Sequence, residues 1–244
     1  MAKAHPWQIW QKKPLQWKVL ISYLSLEGGD PNGENKSVED LVAVVKEVAD
    51  AIDAPLVVAG CKNVEKDAEL LPKVAEALQG KNVVIMPAKE ENYKAIGAAA
   101  GLAYNQKLGA ESAVDINLAK QLNVVTTQLG VKPESIVMNV GTATAGYGYE
   151  YVVSTMDRVK AAALSQDDAM LQMPILTPVA SETWNVKESV ASEEDSPEWG
   201  SREERGISME IMTAAADLVS GSNAVVLQHP QSVATISKMI KELV

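Results

Sequence analysis

Phenylalanine is absent from this chain, and cysteine occurs once, at Cys61. A lone cysteine excludes an intramolecular disulfide and fits a reducing compartment. It also excludes an iron–sulfur cluster or a cysteine-rich zinc site held by this chain alone. Histidine is nearly as scarce: His5 and His229 are too few to build a metal cluster. No apolar run approaches the roughly 20 residues needed to cross a bilayer. The opening residues lead into polar and aromatic side chains, not a signal-peptide core, so a cytoplasmic protein is expected. Basic residues are outnumbered, 22 against 32, which leaves a net charge of −10. A field of that sign repels phosphate backbones and argues against a nucleic-acid partner. The catalytic signatures are missing too. There is no Walker motif, no H-E-x-x-H, no G-x-S-x-G and no credible Ser–His–Asp order. A chain without a nucleophile or an acid/base pair suits binding better than bond-making.

What is present is a repeating alternation of strand-length apolar runs and helix-length amphipathic segments. Strands are predicted at 18–26, 55–60, 82–86, 108–111, 135–140, 173–178 and 223–228. Helices are predicted at 38–52, 65–78, 91–104, 114–130, about 150–163, 206–220 and 231–243, with 189–204 as an acidic loop. The second strand, Pro55 to Gly60, is apolar without alternation, as in a parallel sheet buried on both faces. Ser37 has the chemistry of an N-cap, and positions 38, 41, 42, 45 and 48 mark one helical face. Even βα units in a chain of 244 residues point to an α/β fold, a TIM-type (β/α) barrel spanning residues 1–244 as one domain. An open doubly wound sheet is the rival architecture, disfavoured because no dinucleotide fingerprint occurs. Seven strands are one short of the usual eight. Either the barrel lacks its first strand and helix, or residues 1–17, a lead carrying Trp7, Trp10 and Trp17, fill the gap.

In such folds function collects where strands end and loops begin. The most informative strand end is the segment from Asn139 to Tyr151. Gly141, Gly146 and Gly148 permit tight backbone and close approach. Thr142 and Thr144 supply hydroxyls, and Tyr147, Tyr149 and Tyr151 supply flat amphipathic surface. That combination suits a large planar ligand with amide side chains, or else a flexible loop leading into a helix. Asp115 and Asn117 follow the fourth strand, where helix capping and ligand contact are both open readings. Cys61 fits a plain buried thiol. Lys62 and Lys89 could form a Schiff base only in an apolar setting that neither has. His229 beside Pro230 suits a loop better than a catalyst, and the acidic run from Ser192 to Glu198 suits a solvated loop.

The segments VDINLAKQLN (114–123), GYGYEY (146–151), DAMLQMP (168–174), PEWGSREERG (197–206) and QHP (228–230) together resemble the small, or delta, subunit of the corrinoid iron–sulfur protein. That family serves the carbon monoxide dehydrogenase/acetyl-CoA synthase system of the reductive acetyl-CoA (Wood–Ljungdahl) pathway of carbon fixation. The resemblance implies a TIM barrel paired as a heterodimer with a large corrinoid/iron–sulfur subunit. It implies a corrinoid (cobalamin) shared with that partner and lying against the carboxyl-end face of the barrel. Methyl groups would arrive from a methyltetrahydropterin methyltransferase and pass to acetyl-CoA synthase, with this chain a non-catalytic subunit. Carried onto this sequence, the corrinoid-facing candidates are Asp115, Asn117, Asn139, Thr142, Thr144, Gly146, Tyr147 and Gly148, with no metal ligand. Family members usually carry an extra strand and helix ahead of the strand at 18–26, which the Trp-rich lead replaces here. The alternative is a pterin-binding methyltransferase acting on methyltetrahydrofolate and a corrinoid protein, with Asp115 and Asn139 on the pterin.

Overall fold

The computed structural model describes residues 21–243. The expected strand start at residue 18 and the Trp-rich lead fall outside them. Strand β1 (Ser22–Ser25) is followed by helix α1 (Val38–Ala51), β2 (Leu56–Ala59), α2 (Val64–Ala77) and β3 (Val84–Ala88). A short helix, α3 (Tyr93–Ile96), runs on as a π-helical segment, Gly97–Ala103, before β4 (Lys107–Glu111) and α4 (Ile116–Gln128). Then come β5 (Ile136–Asn139), α5 (Tyr149–Ser165), β6 (Leu176–Thr177), α6 (Val179–Thr183) and α7 (Lys187–Val190). Helix α8 (Arg202–Ser220), β7 (Ala224–Val225) and α9 (Pro230–Leu243) complete the described order.

Short polar side chains fix where the long helices begin, by accepting amide protons that no helical carbonyl can take. Ser37 takes the amide of Asp40, Asn63 that of Lys66, and Asp115 those of Asn117 and Leu118. Ser201 does the same for α8, so this helix starts at Arg202, one turn before the predicted 206. The apolar periodicity hides that first turn, because Arg202, Glu203 and Glu204 are exposed. The predicted acidic loop 189–204 is correspondingly shorter, and helices α6 and α7 precede it.

All strands are parallel. β1 to β5 pair in sequence order, Met138 bridges to Ile175, and β6 pairs with β7. Alternate residues of each strand face opposite ways. On one side Leu56 and Val58 pack with Leu41, Leu70 and Leu71 of the helices. On the other side Tyr23, Val57, Ala59, Val84, Met86, Val137, Leu176, Ala224 and Val226 form a cluster to which no helix contributes. A doubly wound sheet would have helices on both faces. A core made only of strand side chains is the inside of a barrel. The chain therefore has the TIM-barrel-like α/β fold, and the open-sheet alternative falls. Among the described residues no pairing joins β7 to β1.

In the middle of this interior, at Gly109, β4 contributes backbone alone. A Cβ at Gly109 would lie 2.4 Å from the Cβ of Met86. Gly109→Ala is accordingly expected to destabilise the protein by about 2 kcal/mol through overpacking, read as a lowered midpoint in urea unfolding.

Candidate functional site

The carboxyl ends of the strands meet at one rim, and charged side chains plug its centre. The Glu111 carboxylate, at the end of β4, takes the Lys89 ammonium at 2.8 Å on one oxygen and the Asn139 amide at 2.9 Å on the other. Asn139 ends β5, and its own carbonyl oxygen accepts the Gly141 amide. Lys89 and Glu111 are both partly buried, so their pairing is screened less than a surface pair. The Tyr23 hydroxyl on β1 is pushed up to about 12, first by burial and then by the nearby Glu111 and Glu27 carboxylates. Glu27 in turn pairs with Lys62 at 2.9 Å.

Beneath this layer Asp67 of α2 is buried and accepts the Cys61 amide at 2.7 Å. Burial raises its carboxyl, with the Cys61 hydrogen bond acting against the rise. A Cβ at Gly60 would collide with that carboxylate at 2.2 Å, so the close approach requires glycine. The Cys61 thiol is fully buried and raised to about 11, chiefly by burial. It stays a neutral, poorly nucleophilic thiol at neutral pH.

The loops after β4 and β5 lie side by side. The Val114 amide donates to the Val140 carbonyl at 2.7 Å, and Gly141 packs on Ala113 and Val114. Gly141, Gly146 and Gly148 all have φ between 82° and 91°, which a side chain would strain. The space where Gly146 would carry a Cβ is open to 4 Å. Tyr147 is half exposed and donates to Glu188 of α7, which raises its own hydroxyl.

Helix α8 holds this loop from behind. The Thr142 hydroxyl donates to Asp217 at 2.9 Å, Tyr149 donates to the other Asp217 oxygen at 3.1 Å, and the Ala145 amide donates to Thr213 at 3.1 Å. Asp217 is fully buried and its carboxyl is raised to about 6, chiefly by burial, with the two hydroxyls acting against the rise. About two turns away, buried Glu210 takes the amides of Gln228 and His229 in the segment after β7. The His229 ring lies between Glu203, at 3.1 Å from Nε2, and the Gln231 amide, which it accepts on Nδ1.

The eight candidates from the sequence thus gather on adjoining loops of one rim, but their side chains divide into two groups. Asp115 and Asn117 are exposed, although Asp115 spends one oxygen capping α4. Gly146 and Tyr147 are exposed, and Gly148 is half-buried beside Tyr151. Asn139 and Thr142 are engaged inside, and Thr144 is buried with its hydroxyl unpartnered. Glu210, Thr213 and Asp217 were missed. Their signal was available, since polar residues at 210, 213 and 217 share the buried face of α8 with Ile207 and Ala214. Among the described residues no group of His, Cys, Asp and Glu is placed to hold a metal ion.

The family model for the CO dehydrogenase/acetyl-CoA synthase delta subunit matches residues 9–228. The chain belongs to this delta-subunit family. Acetyl-CoA decarbonylase/synthase complex subunit delta 1 of Methanosarcina thermophila is 31% identical over 96% of this chain and 54% of its own length. The delta subunits of Archaeoglobus fulgidus and Methanocaldococcus jannaschii are 32% and 31% identical, over 90% and 92% of this chain and 49% and 54% of their own. The chain spans about half the length of these delta-subunit relatives. In fold it is similar to Yersinia pestis dihydropteroate synthase, solved with a pterine-sulfa conjugate, with a TM-score of 0.61 at 11% identity over 92% of this chain and 82% of that one. This likeness extends the barrel assignment of the delta-subunit family member. Among the described residues no helix is long and apolar enough to cross a membrane.

Proposed function

We propose that this chain is the corrinoid-facing subunit of an acetyl-CoA decarbonylase/synthase-type methyl carrier. Its rim would lie against a corrinoid held by a large corrinoid/iron–sulfur subunit, while methyl groups pass from a methyltransferase to acetyl-CoA synthase. The supporting observation is the rim's construction. The loops after β4 and β5 are bonded edge to edge, the second bears Gly141, Gly146 and Gly148, Gly146 leaves open space and Tyr147 offers flat half-exposed surface. A macrocycle with amide side chains needs such a surface: close backbone approach, a flat neighbour, and polar groups at the edge such as Asn117 and Asp115. When bound, the corrinoid supplies the cobalt chemistry, and the chain's residues orient and shield.

The centre of the mouth favours capping over a deep substrate pocket. Glu111, Lys89 and Asn139 satisfy one another there, and a small ligand would have to break that network. A cleft of about 280 Å³ lies instead on the outer layer, between Glu91 and Lys94 on one side and Leu118 and Val125 of α4 on the other. The test is co-expression with the cognate corrinoid-bearing subunit, affinity purification on this chain, and absorbance of bound corrinoid in the eluate. A stoichiometric complex is expected. A folded chain that captures no corrinoid subunit contradicts the proposal.

A pterin site is the second reading, favoured by the fold likeness to a pterin-binding enzyme and by the carboxylate, amide and ammonium at the mouth. Saturable methyltetrahydrofolate binding by calorimetry, abolished by Glu111→Gln, would establish it in place of the first.

A further inference from the structure

The geometry points to Asp217, a residue outside the rim, as the positioning residue of the rim loop: its buried carboxyl clamps residues 142–149 to α8, most firmly when it carries a proton. This deepens the rim reading above and takes its functional meaning from it.

Four hydrogen bonds tie the loop and the first turn of α5 to α8, and Asp217 receives two of them, from Thr142 and Tyr149. Both of its oxygens are used, and its side chain is sealed from water. Among the described residues no opposite charge compensates it. From α5, Tyr149 faces it as a hydroxyl, and Lys160 sends its ammonium to Asn223 at 3.3 Å instead. From the loop comes only the neutral Thr142. On α8 itself Glu210 is committed to the amides of Gln228 and His229, and Ser220 sits 3.5 Å from the Tyr149 hydroxyl. From α7, Glu188 is occupied by Tyr147.

A carboxyl in such a place can hold the loop in two ways. Neutral, it donates one hydrogen bond to a hydroxyl oxygen and accepts another. Ionised, it accepts two but leaves a buried charge without a cation. Opening the loop lets water reach the carboxylate, so ionisation favours the open state. The clamp therefore tightens as pH falls and loosens as pH rises through the carboxyl's raised range near 6. If opening restores the ordinary carboxylate value, the open population rises about tenfold between pH 5 and pH 8.

The test is hydrogen exchange on the free full chain, followed at the Ala145 amide that bonds Thr213 and corrected for the intrinsic pH dependence of exchange. Protection is expected to fall about tenfold from pH 5 to pH 8 in the native protein. Asp217→Asn imitates the neutral carboxyl and should make protection high and independent of pH, while Asp217→Ala should lower it at both. Tyr149→Phe removes one hydroxyl from the ionised carboxylate and should steepen the pH dependence, which keeps the test available should the Asp217 variants fail to fold. Native protection that does not change with pH, or an Asp217→Asn protein with the native slope, overturns the inference. Because no partner takes part, failure of the corrinoid-subunit capture would refute the rim reading alone.

Discussion

Glu210→Ala is expected to cost about 4 kcal/mol of stability, the largest loss from any single side chain at the rim. Glu210 is fully buried, and its two oxygens accept the amides of Gln228 at 2.6 Å and His229 at 3.1 Å. These amides lie where β7 ends and α9 begins, so no strand or helix carbonyl replaces the lost acceptors. Truncation takes the acceptor from two part-buried backbone amides, at about 1–3 kcal/mol each where water cannot replace it, and opens a cavity where a fully buried side chain stood. Glu210→Gln keeps one acceptor and should lose about half as much. Urea unfolding of the three proteins measures both values. Equal stability of native and Glu210→Ala proteins would show that the carboxylate does not hold the end of β7.

The second large effect is a pH dependence of global stability set by Asp217. Its carboxyl is raised from 3.8 to about 6, first by burial, against the pull of Thr142 and Tyr149. Between those values the folded state holds a proton that the unfolded chain has released. Stability from this group is therefore fully present at acid pH, falls as pH climbs through the window, and is level above it. The full change is about 3 kcal/mol. Asp217→Asn removes the titration. It should match or fall below the native protein near pH 4 and exceed it at pH 7.5. Denaturation midpoints at these two pH values decide the matter, and parallel behaviour of the two proteins would contradict it.

The strands were legible because a barrel buries both sides of each one. Val57 and Ala59 face the interior while Leu56 and Val58 face the helices, so the whole run reads as apolar. Helix starts were legible where a capping side chain marks them, as at Ser37. Helices α6 and α7 were not, because five and four residues are too few to display a helical period. The glycine spacing of the rim loop could be read directly, and all three glycines take positive φ. The direction of its threonines could not. Thr142 turns inward to a carboxylate 75 positions later in the chain, a contact that no local pattern encodes. The spacing of Glu210 and Asp217 with Ile207 and Ala214 marked a shared face, but their partners could not be read from it. Charged residues on a helix ordinarily face water, and only long-range partners make burial tolerable here.

The rim's role is tested most directly by hydrogen-exchange footprinting of this chain, free and in complex with the cognate corrinoid-bearing subunit. New protection is expected in residues 111–117 and 139–151, the two loops bonded through Val114 and Val140. Protection confined to the amino ends of the strands or to the outer helices, with these loops unchanged, would contradict a corrinoid-facing rim.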